Sequence, residues 1–219
     1  FTETAYKFGI KHFSVFCFEE AKQIKKYLPD VDVMVMGWVS KRDIKKAIET
    51  GIEFYVFETE RLKKAMSEAI ILGKRAKIHV EVETGMNRTG FNEDDLFEAI
   101  HTIKTNDEHI ELKGVCSHLA GPESQANYYR IQNQIKKFEK YKQVFNDFKI
   151  KPEYFHLANS SATLNYPETH YDMVRIGIIA YGLWPNKETF IRYSSKTNSI
   201  TDPLLRVIRW ESSVMSVNE

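Results

Sequence analysis

Short runs of β-branched and aromatic residues recur at positions 13–16, 33–36, 53–56, 77–83, 111–117, 154–157 and 173–175, and each run predicts a strand. Between them apolar residues recur at helical spacing, with start signals in place. Ser40 stands three residues before Asp43, and Asn92 three before Asp95, both at capping-box spacing. The chain thus alternates strand and helix, which demands parallel strands with crossover helices. A doubly wound sheet and a closed (β/α)8 barrel both satisfy that pattern. Seven strands fall one short of a barrel, and the chain begins in a partial helix just ahead of the first. The expected fold is a TIM-type (β/α)8 barrel whose first strand, with the natural N-terminus, lies upstream.

The longest helical pattern covers 124–148, with Ile131, Ile135, Phe138, Tyr141, Phe145 and Phe148 on one face. A single stripe of this kind fits a helix packed on a barrel wall, with a coiled coil as the alternative. After Pro185, residues 187–201 are polar and read as a linker, while 204–217 return to strand-like alternation. The expected division is a barrel over 1–200 and the beginning of a C-terminal β-rich domain over 201–219.

With 219 residues and 42% hydrophobic content, the chain can build one large barrel or two small domains around a real core. Its 31 basic and 30 acidic side chains are spread evenly, leaving no basic stripe and arguing against nucleic acid as a partner. No run approaches the ~18 apolar residues of a spanning helix, and the longest candidate, 176–184, contains two glycines. Cys17 and Cys116 lie in apolar runs without metal-ligand spacing. They read as small buried hydrophobes of a reducing, cytoplasmic compartment, and a disulfide is disfavoured.

Three segments carry candidate chemistry. In K-I-H-V-E-V-E-T-G-M-N-R-T-G-F, residues 77–91, period-two alternation puts Ile78, Val80 and Val82 on one face and His79, Glu81 and Glu83 on the other. In a barrel the ionisable face points inward and needs a cation, for which Arg88, on a Gly-containing turn, is the candidate. The bland alternative is a solvated loop arginine. Glu81 and Glu83 could also form an acid–base pair or hold a metal with His79, although no second cluster supports a metal. In G-V-C-S-H-L-A, residues 114–120, a strand ends at His118, which by itself reads as an ordinary core histidine. In the third segment, Asn159 and Ser160 open a helix, where free N–H groups attract anions or a side chain simply caps. Arg175, Gly177 and Ile178 end the last strand, and Gly177 lets backbone N–H groups approach an oxyanion. In barrels the loops after strands seven and eight commonly bind phosphate.

T-G-M-N-R-T-G-F at 84–91, S-H-L-A at 117–120, A-N-S-S-A-T-L at 158–164 and D-M-V-R-I-G-I-I-A-Y-G-L at 172–183 resemble, in order and spacing, the barrel signatures of bacterial alanine racemases. The looser F-S-V-F-C-F-E-E-A near the start resembles that family's second strand and helix. The resemblance implies a fold-type III enzyme that uses pyridoxal 5'-phosphate to interconvert L- and D-alanine for peptidoglycan synthesis, as a head-to-tail homodimer. It implies that Ser160, Gly177 and Ile178 hold the cofactor phosphate, with Asn159 supporting the loop. Arg175 would face the pyridine nitrogen, His118 would hydrogen-bond Arg175 and pack near the ring, and Arg88 would contact the cofactor oxygen and the substrate carboxylate.

The chain departs from the family in two places. Glu81 stands where many members carry a carbamylated lysine, so its carboxylate is expected to orient Arg88 directly. G-P-E-S at 121–124 replaces a more acidic loop. The Schiff-base lysine and catalytic tyrosine are expected outside 1–219, and Ala5-Tyr6 is no substitute because no suitable lysine precedes it. No catalytic residue is therefore assigned within this span, which alone is expected not to racemise alanine. A serine or broad-specificity racemase and a non-catalytic pyridoxal phosphate-binding barrel of the homeostasis type remain the alternatives.

Overall fold

The computed structural model describes residues 1–217. Strands β1 (His12–Val15), β2 (Asp32–Val35), β3 (Glu53–Val56), β4 (Ala76–Glu81), β5 (Ile110–Cys116) and β6 (Tyr154–His156) form one sheet in sequence order. Every adjacent pair is parallel. Helix α1 (Thr2–Lys7) precedes the sheet, and α2 (Phe18–Tyr27), α3 (Lys41–Glu49), α4 (Thr59–Leu72), α5 (Glu93–Thr105) and α6 (Tyr128–Asp147) are the crossovers. Helices α7 (Ser160–Asn165) and α8 (Lys187–Thr197) follow β6. The predicted caps form: Ser40 Oγ accepts from Asp43 N, and Asn92 Oδ1 from Asp95 N.

Strand alternation separates two chemistries. Val33, Val35, Phe54, Val56, Ile78 and Val80 face outward and pack with helix residues such as Leu62, Leu96 and Phe138 in the main core. The other face carries the small cluster Met34, Tyr55 and Cys116 together with buried Glu53, His79, Glu81 and His156. The rings of His12 on β1 and Tyr154 on β6, the two edge strands, have centroids 6.1 Å apart. In a flat six-stranded sheet these edges would be about 24 Å apart, at about 4.8 Å per strand. The sheet is therefore curled into a half-barrel with its ionisable face inside.

Four expectations are corrected. Residues 173–175 make no seventh strand, only an isolated bridge between Asn159 and Arg175, because a single segment on one side supplies no ladder. Residues 187–201, expected as linker, contain α8; Asn186 caps it, and its Phe190 and Tyr193 pack at a tilt against Trp184. Residues 204–217 form no strand despite their alternation. That segment is largely exposed and bonds back through Val207 N to Tyr181 O, with no partner strand among the described residues. Cys116 is buried as expected, whereas Cys17 is only half-buried, at the N-cap of α2. Among the described residues no helix is long and apolar enough to cross a membrane.

Candidate functional site

Parallel strands end on the same rim, so the loops after β4, β5 and β6 converge there with residues 175–178. Strand-end carbonyls are no longer engaged in the sheet ladder, and a planar guanidinium can collect several of them at once. Arg175, nearly buried, does so. Its Nη2 donates to Ser117 O at 2.8 Å and Leu157 O at 3.0 Å, and its Nη1 to His156 O at 2.9 Å. Nη1 also meets His156 Nδ1 at 2.5 Å. The backbone is held as well, with Arg175 N donating to Ala158 O at 3.0 Å.

Two residues further on, Gly177 N donates to Ser160 Oγ at 2.9 Å, joining the last two loops. Asn159 Oδ1 accepts from Ala162 N at 3.0 Å, so Asn159 caps α7 while its backbone bridges Arg175. Ile178 begins the exposed turn Ile178–Tyr181 directly after this junction.

The carboxylates of the β4 segment separate into different tasks. Glu81 is buried on the inner face, accepts from Thr89 Oγ1 at 2.7 Å, and stands 3.9 Å from Arg88 Nη2. Burial pushes its pKa up, against the pull of Thr89 and Arg88. Arg88 itself is 54% exposed and free to reach a ligand at the rim. Glu83 caps the turn, accepting from Gly85 N and, at 2.9 Å, from Asn87 N. It is thus no acid–base partner for Glu81. Among the described residues the one group with metal-ligand geometry is His12, Glu53 and His79, not His79 with Glu81 and Glu83.

His118 lies at this rim, but the imidazole bonded to Arg175 belongs to His156. The expected hydrogen bond from His118 is not formed among the described residues. The reason is register: the β6 residue preceding the strand-end carbonyls points inward beneath the guanidinium, whereas His118 lies past the end of β5. Burial, then Arg175 and Arg88, lower the His118 pKa to about 4. Gln134, fully buried on α6, was also unassigned by sequence reasoning. Its amide accepts from Ala120 N at 2.8 Å and donates to Thr84 Oγ1 at 3.1 Å and His118 O at 2.9 Å, tying two rim loops together. A glutamine in an otherwise apolar stripe was the one signal of it. The G-P-E-S loop is held by asparagine amides on Gly121 O, Pro122 O and Glu123 O.

Three histidines with lowered pKa values, buried His79 and His156 and half-buried His118, make stability pH-dependent. His118 falls to about 4, and burial first of all lowers His79 and His156 too. Each contributes stability that is complete above the unfolded value near 6.5 and is lost as pH falls, at up to about 1.4 kcal/mol per pH unit. Glu81, raised instead, acts in the opposite direction and is outnumbered. Denaturant melts should therefore show stability declining from about pH 6.5 toward 4, and a flat profile there would contradict neutral buried histidines.

The family described as "Alanine racemase, N-terminal domain" matches residues 2–185. An alanine racemase of Methanococcus maripaludis is 36% identical over 156 residues, 71% of this chain and 41% of that protein. One from Halalkalibacterium halodurans is 28% identical over all 219 residues, 54% of its own length. The solved alanine racemase of the D-cycloserine producer Streptomyces lavendulae superposes with a TM-score of 0.81 at 28% identity, covering 86% of this chain and 50% of that one. The chain spans about half the length of the relatives it matches. On a family match that runs through β1 to β6 and past Gly177, the chain belongs to the alanine racemase N-terminal domain family.

Proposed function

We propose that this chain is the cofactor-binding part of an alanine racemase that uses pyridoxal 5'-phosphate to interconvert L- and D-alanine for peptidoglycan synthesis in the cytoplasm. The observation that carries the reading is the junction of Gly177 N and Ser160 Oγ two residues from the anchored guanidinium of Arg175. The residues fit the cofactor. Gly177 N and Ser160 Oγ, 2.9 Å apart, would both be offered to a phosphate at the start of α7, with Ile178 N next in line. Asn159 keeps that loop in shape. When bound, the cofactor supplies an electron-accepting heterocycle joined to the amino acid's reacting carbon.

Arg175 would meet the ring nitrogen as a donor only. A guanidinium keeps its protons at neutral pH, so the nitrogen stays unprotonated and side reactions that need a stronger electron sink are disfavoured. Arg88 would hold the cofactor oxygen and the substrate carboxylate, oriented by Glu81. His118 would pack beside the ring as a neutral imidazole. The six strands of residues 1–200, together with the bridging segment around Arg175 beside β6 and an upstream strand closing against β1, would complete an eight-stranded barrel, and 201–219 would lead into a β-rich domain; of these, Asn218 and Glu219 lie outside the described residues. The lysine and tyrosine that move the proton are assigned outside the span, the tyrosine to the other subunit of a head-to-tail homodimer.

The deciding experiment mixes full-length protein and cofactor with D- and L-alanine and with D- and L-serine, and follows loss of optical activity. Alanine is expected to lose it fastest. Faster loss from serine would make the protein a serine or broad-specificity racemase, and cofactor binding without turnover would make it a binding barrel.

Two substitutions probe individual roles. Ser160→Ala in the full-length protein should weaken cofactor binding about 10- to 100-fold, the worth of one hydrogen bond to a charged group, as read by absorbance titration. Glu81→Gln should lower kcat/KM about 10-fold by releasing Arg88. Unchanged kinetics would remove Glu81 from the site.

A further inference from the structure

Beneath Arg175 the half-barrel contains a polar line that the proposed chemistry does not use. Glu53 on β3, His79 on β4 and His156 on β6 are all fully buried. Arg175 Nη1 is 2.5 Å from His156 Nδ1, His156 Nε2 is 2.9 Å from His79 Nδ1, and His79 Nε2 is 2.8 Å from Glu53 Oε2.

One end of this line can only donate and the other, ionised, can only accept. Arg175 has no acceptor, so His156 Nδ1 must carry a lone pair and Nε2 the proton. That proton points at His79 Nδ1, which must accept, leaving the His79 proton on Nε2 facing the Glu53 carboxylate. Protonating either imidazole would set two N–H groups against each other somewhere along the line. Both histidines are therefore neutral and in the same tautomer. Burial first, and then Arg175, push the His156 pKa well down, and burial lowers that of His79. Burial alone would neutralise Glu53, but the adjacent imidazoles of His12 and His79, the latter hydrogen-bonded to it, outweigh it and hold the carboxyl well below the usual carboxylate range. The other groups facing Glu53 are His12 Nε2 at 3.3 Å and Lys113 Nζ at 3.8 Å.

The backbone makes room for the line. A bulge between β4 and β5 sets His79 opposite Gly114. A β-carbon at Gly114 would overlap His79 Nδ1 and stand 2.9 Å from His156 Nε2.

The geometry points to a direction-locked hydrogen-bond relay from Arg175 through His156 and His79 to Glu53, in which His79 and Glu53 are positioning residues for a guanidinium that they never touch. The functional part of the inference rests on the reading that Arg175 faces the cofactor ring. The relay holds the guanidinium in plane while keeping its counter-charge two imidazoles away. The positive charge is thereby directed to the rim rather than cancelled by a direct carboxylate partner. A divalent metal on His12, Glu53 and His79 is the competing use of these residues. It would need the lone pair of His79 Nε2, which would move the proton to Nδ1, reverse the line and set His156 Nδ1–H against Arg175. The ammonium of Lys113 beside Glu53 disfavours it further.

The test uses full-length protein with 15N-labelled histidine, with and without cofactor, so that tautomers are read independently of activity. His79 and His156 should both show protonated Nε2 and bare Nδ1 at pH 7, unchanged by added zinc. A protonated Nδ1 on either, or a zinc-dependent shift, overturns the relay. Glu53→Met should disturb both signals, shift the bound-cofactor absorbance, and lower kcat about 10- to 100-fold with little change in KM for alanine, while Glu53→Gln, which retains an acceptor, restores the tautomers and part of kcat. Gly114→Ala breaks the middle link with Glu53 intact and should give the same signature. Normal tautomers and kcat in folded Glu53→Met or Gly114→Ala protein would also overturn it. If the full-length protein neither binds cofactor nor racemises alanine, the proposed function fails, and the labelled spectra still decide the relay.

Discussion

Replacing Arg175 with methionine should destabilise the protein by about 3–5 kcal/mol and lower its melting temperature by on the order of 10 °C. The side chain satisfies His156 O, Ser117 O, Leu157 O and the imidazole of His156, nearly all out of reach of water. Methionine fills much of the space but donates to none of them. Arg175→Lys should lose less, because an ammonium keeps the charge and some donors yet cannot span two strand ends in one plane. On the proposed function, the methionine variant of the full-length protein should also lose about 10²- to 10³-fold in kcat, the usual effect of removing a preorganised donor. A melting temperature within 2–3 °C of the parent's, about 1 kcal/mol, would mean that those carbonyls find water and that the rim is looser than described.

Gly90→Ala should be almost as damaging for a different reason. Gly90 has φ +122°, where side chains are strained, and its added β-carbon would stand 2.7 Å from Glu83 N and 2.8 Å from Val82 C. Both are backbone atoms that cannot swing aside. Here the loop doubles back on β4, with Phe91 N donating to Glu81 O at 2.8 Å and Glu83 N to Phe91 O at 2.9 Å. Strain and overlap together should cost about 2–4 kcal/mol in a denaturant melt. Because the same loop carries Arg88 and Thr89, the variant should, on the proposed function, also raise KM for alanine in the full-length protein. Parental stability would show that the turn has another backbone conformation within reach.

Much of the site is local and legible in the amino-acid sequence. The inward turn of His79 and Glu81 follows from strict alternation along β4. The capping residues Ser40, Asn92 and Asn159 follow from their offsets. The convergence of Ser160 with Gly177 is expected from their places after consecutive strand-like runs, and the hydrogen bond between them realises it. Alternation misleads where it has nothing to pair with: 173–175 and 204–217 have strand composition, but a ladder needs a neighbouring strand. Polarity misleads at 187–201, where Asn186 caps a helix that packs against Trp184.

What the amino-acid sequence by itself determined is the repeating strand–helix order, the division of each strand into an apolar and an ionisable face, and the motifs that mark the family. These depend on periods of a few residues, which backbone geometry imposes locally. Which histidine meets Arg175 and how Glu53 comes into line with it were decided only by the tertiary structure, as was the use of Gly114 to open space between two imidazoles. Those contacts depend on the register of parallel strands, a bulge and the curl of the sheet. They join residues up to 77 positions apart, and no local pattern encodes that distance.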